Sequence, residues 1–325
     1  MKVLLTGASG FVGSHILDQL RAKNIPTAIL LRSSSNRRFL PASDGDVEIY
    51  RSSIGEPSGL RDAMQGITHV VHCAGATRAR NAAEFREINE VGSRNVVEAA
   101  NAQSGIQRVV HISSLAAAGP STAVRPVTEN DPPRPVSDYG RSKLGGENAV
   151  RKLCRSEFVI IRPPAVYGPR DDGFLTMFQA VKRHFLPSPC RKQQLSMVFV
   201  RDLAAAIVDC LLSPKAAGNT YFVANPKILT AREMAQEIAQ QLRVSTIPIP
   251  LPSPFLWTMC LLEEGISLLT RKARLLSLSK YPELAAPGWV CDPSKITREL
   301  GIRCETGLQQ GIAETIAWYR EHKLL

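Results

Sequence analysis

The sequence predicts an α/β fold: a doubly wound parallel sheet with helices on both faces, followed by a smaller, mostly helical C-terminal substrate-binding lobe. Three observations carry this expectation. Short apolar runs of β type alternate with helix-like stretches through the first half of the 325-residue chain. A glycine-rich turn directly follows the first run and opens a helical stretch. Beyond Ile161 the character changes, with prolines at Pro163, Pro164, Pro169, Pro187 and Pro189. The chain also exceeds the roughly 250–300 residues at which one core stops growing, so two units are expected.

The strands are expected at 2–6, 27–31, 47–50, 69–73, 108–112 and 158–161. Most are unbroken apolar runs, as in parallel strands buried on both faces. Helical patterns fill 12–23, 58–64, 83–102 and 137–154, and a further helix (200–212) and strand (220–223) follow. The expected division is 1–164 with 200–224 as a dinucleotide-binding unit, and 165–199 with 225–325 as the lobe.

The turn reads Thr6-Gly7-Ala8-Ser9-Gly10-Phe11-Val12-Gly13, a G-x-x-G-x-x-G spacing between strand and helix. A pyrophosphate needs close backbone approach and unpaired N–H groups at a helix N-terminus, where the dipole favours negative charge. Glycines permit that approach. Gly7, Ser9, Gly10, Phe11, Val12 and Gly13 are therefore candidate cofactor contacts. The second strand ends in Leu31-Arg32-Ser33-Ser34-Ser35-Asn36-Arg37-Arg38. An acid there would accept from a ribose 2′-hydroxyl, whereas an arginine suits a 2′-phosphate. Arg32, Ser33 and Arg37 thus favour NADP over NAD.

Tyr139-Gly140-Arg141-Ser142-Lys143 sets a tyrosine and a lysine four apart, on one helical face. A free phenol ionises near 10, too high for easy proton exchange at neutral pH. A neighbouring ammonium is expected to lower that value and make Tyr139 a general acid or base. The fifth strand ends Ile112-Ser113-Ser114-Leu115, and hydroxyls at the carboxyl end of a parallel strand face the ligand crevice. One of the two can donate to a carbonyl oxygen as charge develops on it. Spacing to Tyr139 favours Ser114, with Ser113 as the alternative.

These motifs resemble those of the extended short-chain dehydrogenase/reductases, within the NAD-dependent epimerase/dehydratase superfamily, over nearly the whole chain. Gly7, Gly10 and Gly13 match that family's nucleotide loop, and Ser113 or Ser114, Tyr139 and Lys143 match its serine, tyrosine and lysine. His72-Cys73-Ala74-Gly75-Ala76 resembles the strand end beneath the nicotinamide side, which implies contacts from Cys73, Ala74 and Gly75. Asn89, Gly92 and Asn95 match a helix motif beside the site, and Asn89, Ile112, Ser113, Tyr139 and Lys143 are expected cofactor contacts, with Lys143 placed to hold the nicotinamide ribose. Arg162-Pro163-Pro164-Ala165-Val166-Tyr167-Gly168-Pro169 looks like the segment leading into the substrate lobe, and implies contacts from Pro163, Ala165 and Val166. Phe199-Val200-Arg201-Asp202-Leu203 resembles a later family segment. Many members carry an aspartate for the adenine amino group where this chain has Ser53, followed by Ile54. The resemblance implies a Rossmann-type fold, a nicotinamide cofactor, no metal and a homodimer.

The narrower likeness is to dihydroflavonol reductases and 3β-hydroxysteroid dehydrogenases, and includes Lys280-Tyr281-Pro282-Glu283 and Pro287-Gly288-Trp289. Nucleotide-sugar epimerases usually have asparagine at the position of Ala165. The apolar stretches 174–178 and 255–262 suit a small hydrophobic ketone or alcohol. A nucleotide-sugar epimerase or dehydratase with tightly bound NAD is the alternative.

Forty Lys and Arg against 29 Asp and Glu give a net charge of +11, which favours anionic partners. The basic residues are dispersed, with no zinc finger or RNA-binding signature, so no nucleic-acid partner is expected. No apolar run reaches the ~18–20 residues of a spanning helix. Methionine leads straight into a strand pattern, so no signal peptide is expected. The seven scattered cysteines fit a reducing, cytoplasmic setting. Between 254 and 278, Phe255, Leu256, Met259, Leu262, Ile266 and Leu269 recur at helical spacing ahead of Arg271, Lys272 and Arg274. This is a lobe helix packed on the core or a peripheral membrane contact.

Overall fold

The structure, a computed structural model, describes residues 1–41, 47–189, 193–251, 253–270 and 278–325. The first part runs β1 (Val3–Thr6), α1 (Phe11–Ala22), β2 (Thr27–Leu31), β3 (Glu48–Arg51), α2 (Pro57–Ala63), β4 (His69–His72), α3 (Ala82–Arg86), a π-helical turn (Glu87–Val91), α4 (Gly92–Asn101), β5 (Arg108–Ile112), α5 (Leu115–Ala118), α6 (Asp138–Leu153) and β6 (Glu157–Arg162). Next come β7 (Ala165–Tyr167), α7 (Leu175–Lys182), β8 (Phe185–Pro189), β9 (Gln194–Leu195), β10 (Met197–Phe199), α8 (Val200–Leu212), β11 (Asn219–Phe222), β12 (Leu229–Thr230) and α9 (Ala231–Leu242). The chain closes with β13 (Ile247–Leu251), α10 (Ser253–Thr270), α11 (Tyr281–Ala285), β14 (Gly288–Trp289), α12 (Ser294–Leu300) and α13 (Leu308–Glu321).

Seven strands form one parallel sheet in the order β11-β6-β5-β4-β1-β2-β3. Alternate residues of each strand enter different cores. Val3 and Leu5 of β1 join Ile29, Leu31, Val71 and Val110 under α1 and α8. Leu4 joins Ala28, Leu30, Val70 and Val109 under α2 and α4. Both faces are dry, which is why these strands read as unbroken apolar runs. The order reverses between β1 and β4, so the crevice at their carboxyl ends is where such sheets hold ligands.

A second core gathers Phe178 and Val181 of α7, Met197 and Phe199 of β10, Met234 and Ile238 of α9, and Ile312, Ile316 and Tyr319 of α13. Two departures from expectation stand out. Ile296 of α12 and Cys304, expected in the lobe, are buried in the sheet's core instead. The helix expected across 83–102 is broken by the π-helical turn, which carries Asn89 into the interior. Wide turns of this kind recur at functional sites and leave no trace in hydrophobic periodicity.

Candidate functional site

Gly7 adopts φ +79°, and a Cβ there would lie 2.7 Å from the Ala74 nitrogen at the end of β4. A Cβ on Gly13 would lie 2.0 Å from the Gly7 carbonyl oxygen. Those two glycines therefore let α1 and β4 close on the turn. Gly10 differs: a Cβ there would meet only the Gly7 carbonyl, at 3.3 Å, leaving room above the helix N-terminus. The Gly10 N–H donates to the Gly7 carbonyl at 3.0 Å, and no side chain caps α1. Its first turn, Phe11, Val12 and Gly13, carries no acid. A helix start with this shape and no competing anion fits a pyrophosphate. Ser9 lies in the same turn, half-buried.

Arg32, Ser33 and Arg37 are exposed beyond β2, at the far end of the crevice. The turn is closed by Ser35, whose hydroxyl accepts from the Arg32 N–H at 3.1 Å. Arg38 is committed elsewhere: it pairs with both carboxylate oxygens of Asp172, at 2.8 and 3.0 Å, and stacks on Phe39. Ser53, expected in place of an adenine-binding carboxylate, donates to Glu56 at 3.2 Å. Ser52 donates to the other oxygen of Glu56 at 3.0 Å. A carboxylate, that of Glu56, is thus bonded to the serine at that position from three residues further along the chain. Asn95 donates to the Ile54 carbonyl at 3.0 Å and fixes that turn.

Tyr139 and Lys143 lie on α6, whose N-terminus is capped by Ser137 accepting from the Gly140 N–H at 3.0 Å. The two serines at the end of β5 separate. The Ser114 side chain faces the Tyr139 phenol and favours its ionised form, and its hydroxyl accepts from the Ala116 N–H at 3.1 Å. The Ser113 hydroxyl points away from the crevice and donates to buried Glu147 at 2.6 Å. Ser113, expected as a cofactor contact and as the alternative serine, instead sits with its side chain in a buried ionic cluster. Lys143 donates to the Ile112 carbonyl at 2.5 Å and lies beside Gly75.

The expected acidification of Tyr139 by Lys143 is not what the geometry gives. Burial pushes the phenol up to about 12, and Glu283 and Cys73 push the same way against the opposing effect of the Ser114 hydroxyl. Burial also pulls Lys143 down to about 8, which still leaves it charged at neutral pH. Cys73 at the end of β4 is raised to about 11 by burial, so it is a thiol and no nucleophile.

Asn89 accepts from the Ala76 N–H at 2.8 Å and donates to the Ala76 carbonyl at 3.0 Å. It also donates to Ser142 on α6 at 2.9 Å, so it fastens the Cys73–Ala74–Gly75 strand end to the helix bearing Tyr139. Pro163 accepts from the Leu115 N–H at 2.8 Å and holds α5 in place. Ala165 and Val166 belong to β7, paired with Met197 and Val198. Val166 packs on the sheet's core and Ala165 on the second core, at the seam between them. A shallow recess of about 490 Å³ beside Asp202, Asp209 and Arg303 lies behind α8 and includes none of these residues.

Residues 3–224 match the model of the NAD dependent epimerase/dehydratase family. The chain is 31% identical over 319 residues to the ceramide reductase of Caulobacter vibrioides, covering 98% of this chain and 94% of that one. It is 30% identical to the UDP-glucose 4-epimerase of Vibrio cholerae, over 77% of this chain and 78% of that protein. Among solved structures, the Thermus thermophilus UDP-glucose 4-epimerase in complex with NAD superposes with a TM-score of 0.79 at 26% identity, over 98% of this chain and 99% of the other. The chain belongs to the NAD dependent epimerase/dehydratase family and is an NAD-dependent oxidoreductase of the extended short-chain dehydrogenase/reductase kind.

Proposed function

We propose that the protein interconverts a hydrophobic ketone and its alcohol with NADPH as the favoured cofactor. The observation that carries this is the Ser114–Tyr139–Lys143 set beside the glycine turn. The turn and the N-terminus of α1 would hold the pyrophosphate, Arg32, Ser33 and Arg37 the ribose phosphate, and Cys73, Ala74 and Gly75 the nicotinamide side. A bound nicotinamide supplies or accepts the hydride. The Ser114 hydroxyl then orients the substrate oxygen, and Tyr139 gives that oxygen its proton during reduction or takes it during oxidation. Lys143 holds a positive charge beneath the site and balances the phenolate as it forms. We assign the sheet unit to 1–164 with 200–224 and the substrate lobe to the rest, with 294–304 packed back onto the sheet.

The whole-length likeness to a ceramide reductase supports a lipid-like substrate over a sugar nucleotide. The epimerase likeness supports the second reading, in which NAD stays bound through each cycle. Mass spectrometry of small molecules retained by the purified protein separates the two. Retained NAD, with no net change in nicotinamide absorbance on adding UDP-sugars, would favour the epimerase.

Replacing Arg32 with alanine tests the cofactor assignment. Losing a charge-assisted hydrogen bond to a phosphate costs about 1.5–3 kcal/mol, so NADPH should bind about 10–100-fold more weakly while NADH is unaffected. Fluorescence titration measures both, and equal losses for the two cofactors would remove Arg32 from the 2′-phosphate site.

Among the described residues no helix is long and apolar enough to cross a membrane. Trp257, Leu261, Leu262 and Ile266 of α10 are nevertheless exposed, whereas Glu263 and Glu264 are turned partly inward. Leu256 and Met259 are partly buried, and Phe255, Leu269 and the basic residues at 271, 272 and 274 lie outside the described residues or side chains. An outward apolar face on a protein of net charge +11 suits the surface of an anionic bilayer. We assign α10 to that contact, with the protein otherwise cytoplasmic and a homodimer. Leu261→Ser with Leu262→Ser should weaken the partition constant for phosphatidylglycerol vesicles, read by flotation, by about a hundredfold, given ~1.5–3 kcal/mol for each fully buried leucine. Undiminished flotation would remove α10 from the contact.

A further inference from the structure

The C-terminal lobe places two charges against Tyr139. The Lys280 ammonium lies over the phenol ring, 5.2 Å from its centre. Lys280 pairs with Glu283 of α11, and Glu283 also accepts from the hydroxyl of Ser137, the residue that caps α6 two positions before Tyr139. This approach is held in place by the lobe. The Glu283 carbonyl accepts from Gln193 at 3.1 Å and from the Trp289 indole at 3.0 Å, and Leu278 donates to Glu264 of α10 at 2.8 Å. Among the described residues the phenol is also faced by Phe85 of α3, at 5.9 Å between ring centres, Cys73 just after β4 and Ser114 just after β5. Lys143 of α6 donates a hydrogen bond to the Ile112 carbonyl.

We propose that Lys280 and Glu283 are positioning residues for Tyr139, an opposed pair through which the docked lobe sets the acidity of the phenol. The proposal rests on the acid/base reading of Tyr139 given above. A cation over an aromatic face is attracted to the neutral ring and more strongly to a phenolate. Lys280 therefore favours ionisation, and Glu283 opposes it. The pair arrives on α11 of the lobe, not on the sheet that carries Ser114 or on the helix that carries Tyr139. The acidity is thus complete only when the lobe lies against the N-terminus of α6. The stretch Lys280-Tyr281-Pro282-Glu283 has the local geometry for this: Pro282 starts a single helical turn, and a spacing of three puts the two charges on one face.

The test titrates Tyr139 directly and needs no substrate. The full chain is labelled with 3-fluorotyrosine, which makes the phenols more acidic, and each fluorine resonance is followed against pH. The Tyr139 resonance is the one lost in Tyr139→Phe. Lys280→Met should raise its midpoint by about one pH unit, since an opposite charge at this range moves an ionisation by ~1–3 units. Lys280→Arg should keep the wild-type midpoint. Glu283→Gln, which can still accept from Ser137, should lower it, and the Lys280→Met/Glu283→Gln double variant should fall between. A purely structural pair would move all variants the same way. Midpoints in Lys280→Met and Glu283→Gln equal to wild type, or shifted in the same direction, would overturn the proposal. That outcome leaves the acid/base reading standing, which fails separately if Tyr139→Phe retains turnover.

Discussion

Replacing Tyr139 with phenylalanine is expected to lower turnover by about 10²–10⁴-fold, the range that a positioned general acid or base contributes, and to leave NADPH binding unchanged. The ring keeps its neighbours Phe85 and Lys280, so the substitution removes one oxygen from a packed site and little else. In reduction, the substrate carbonyl becomes an alkoxide as hydride reaches its carbon, and the proton that neutralises it comes from the phenol. A group raised to about 12 by burial holds that proton at neutral pH. Its transfer is driven by the basicity of the alkoxide, and Lys143, one helical turn further along α6, keeps a positive charge on the same face of the helix. Initial rates with a long-chain ketone and NADPH, beside a fluorescence titration of NADPH, measure the two halves. Turnover within a few-fold of wild type would remove Tyr139 from the chemistry. Loss of cofactor binding alongside it would point to a collapsed site.

The sheet was legible because its physics is local and repetitive. Ala28–Leu31 and the Val109–Val110 centre of the fifth strand are apolar since both faces of the sheet are covered, and the expected bounds 27–31 and 108–112 match the structure residue for residue. The glycine turn was legible for the same reason: Gly7 and Gly13 have no room for a Cβ, a demand that fixes residue type at fixed spacing. What the sequence hid depends on which way a side chain turns. Ser113 and Ser114 are chemically identical neighbours, and successive residues of extended backbone point to opposite sides. Only the third dimension shows that one meets Glu147 and the other Tyr139. Glu56 leaves no signal in the sequence because it is a turn, not a periodic pattern, that brings its carboxylate to Ser52 and Ser53. Lys280 and Glu283 stand more than 140 positions from Tyr139 in the chain, with no periodicity to connect them.

The helix that carries Tyr139 is anchored from below by charge, which gives the largest expected effect on stability. Glu147 and Arg162 have 0% and 2% of their side chains exposed and form a two-pronged pair, at 2.8 and 2.7 Å. Ser113 donates to the same carboxylate at 2.6 Å and Arg151 at 3.1 Å. Glu147 follows Lys143 by one helical turn and Tyr139 by two, so the pair ties one face of α6 to the end of β6. Arg162→Met removes the stronger of two cations and leaves a carboxylate that water cannot reach. Breaking such a pair costs about 3–5 kcal/mol, and for a unit of this size that is roughly 10 °C in melting temperature. Glu147→Met strands the Arg162 guanidinium, with a loss of the same order. The double variant should recover most of it, because apolar side chains of similar volume often replace a buried pair at no net cost. Recovery stays incomplete, since Ser113 loses its acceptor while Arg151 can still use Thr220, 2.9 Å away. Thermal unfolding of the four species measures the coupling, and a single variant that melts with wild type would show that the pair does not anchor the helix. If the double variant is stable but slow, the charges serve placement: Ser113 and Ser114 are adjacent, and releasing one from Glu147 frees the other from the geometry in which it meets Tyr139.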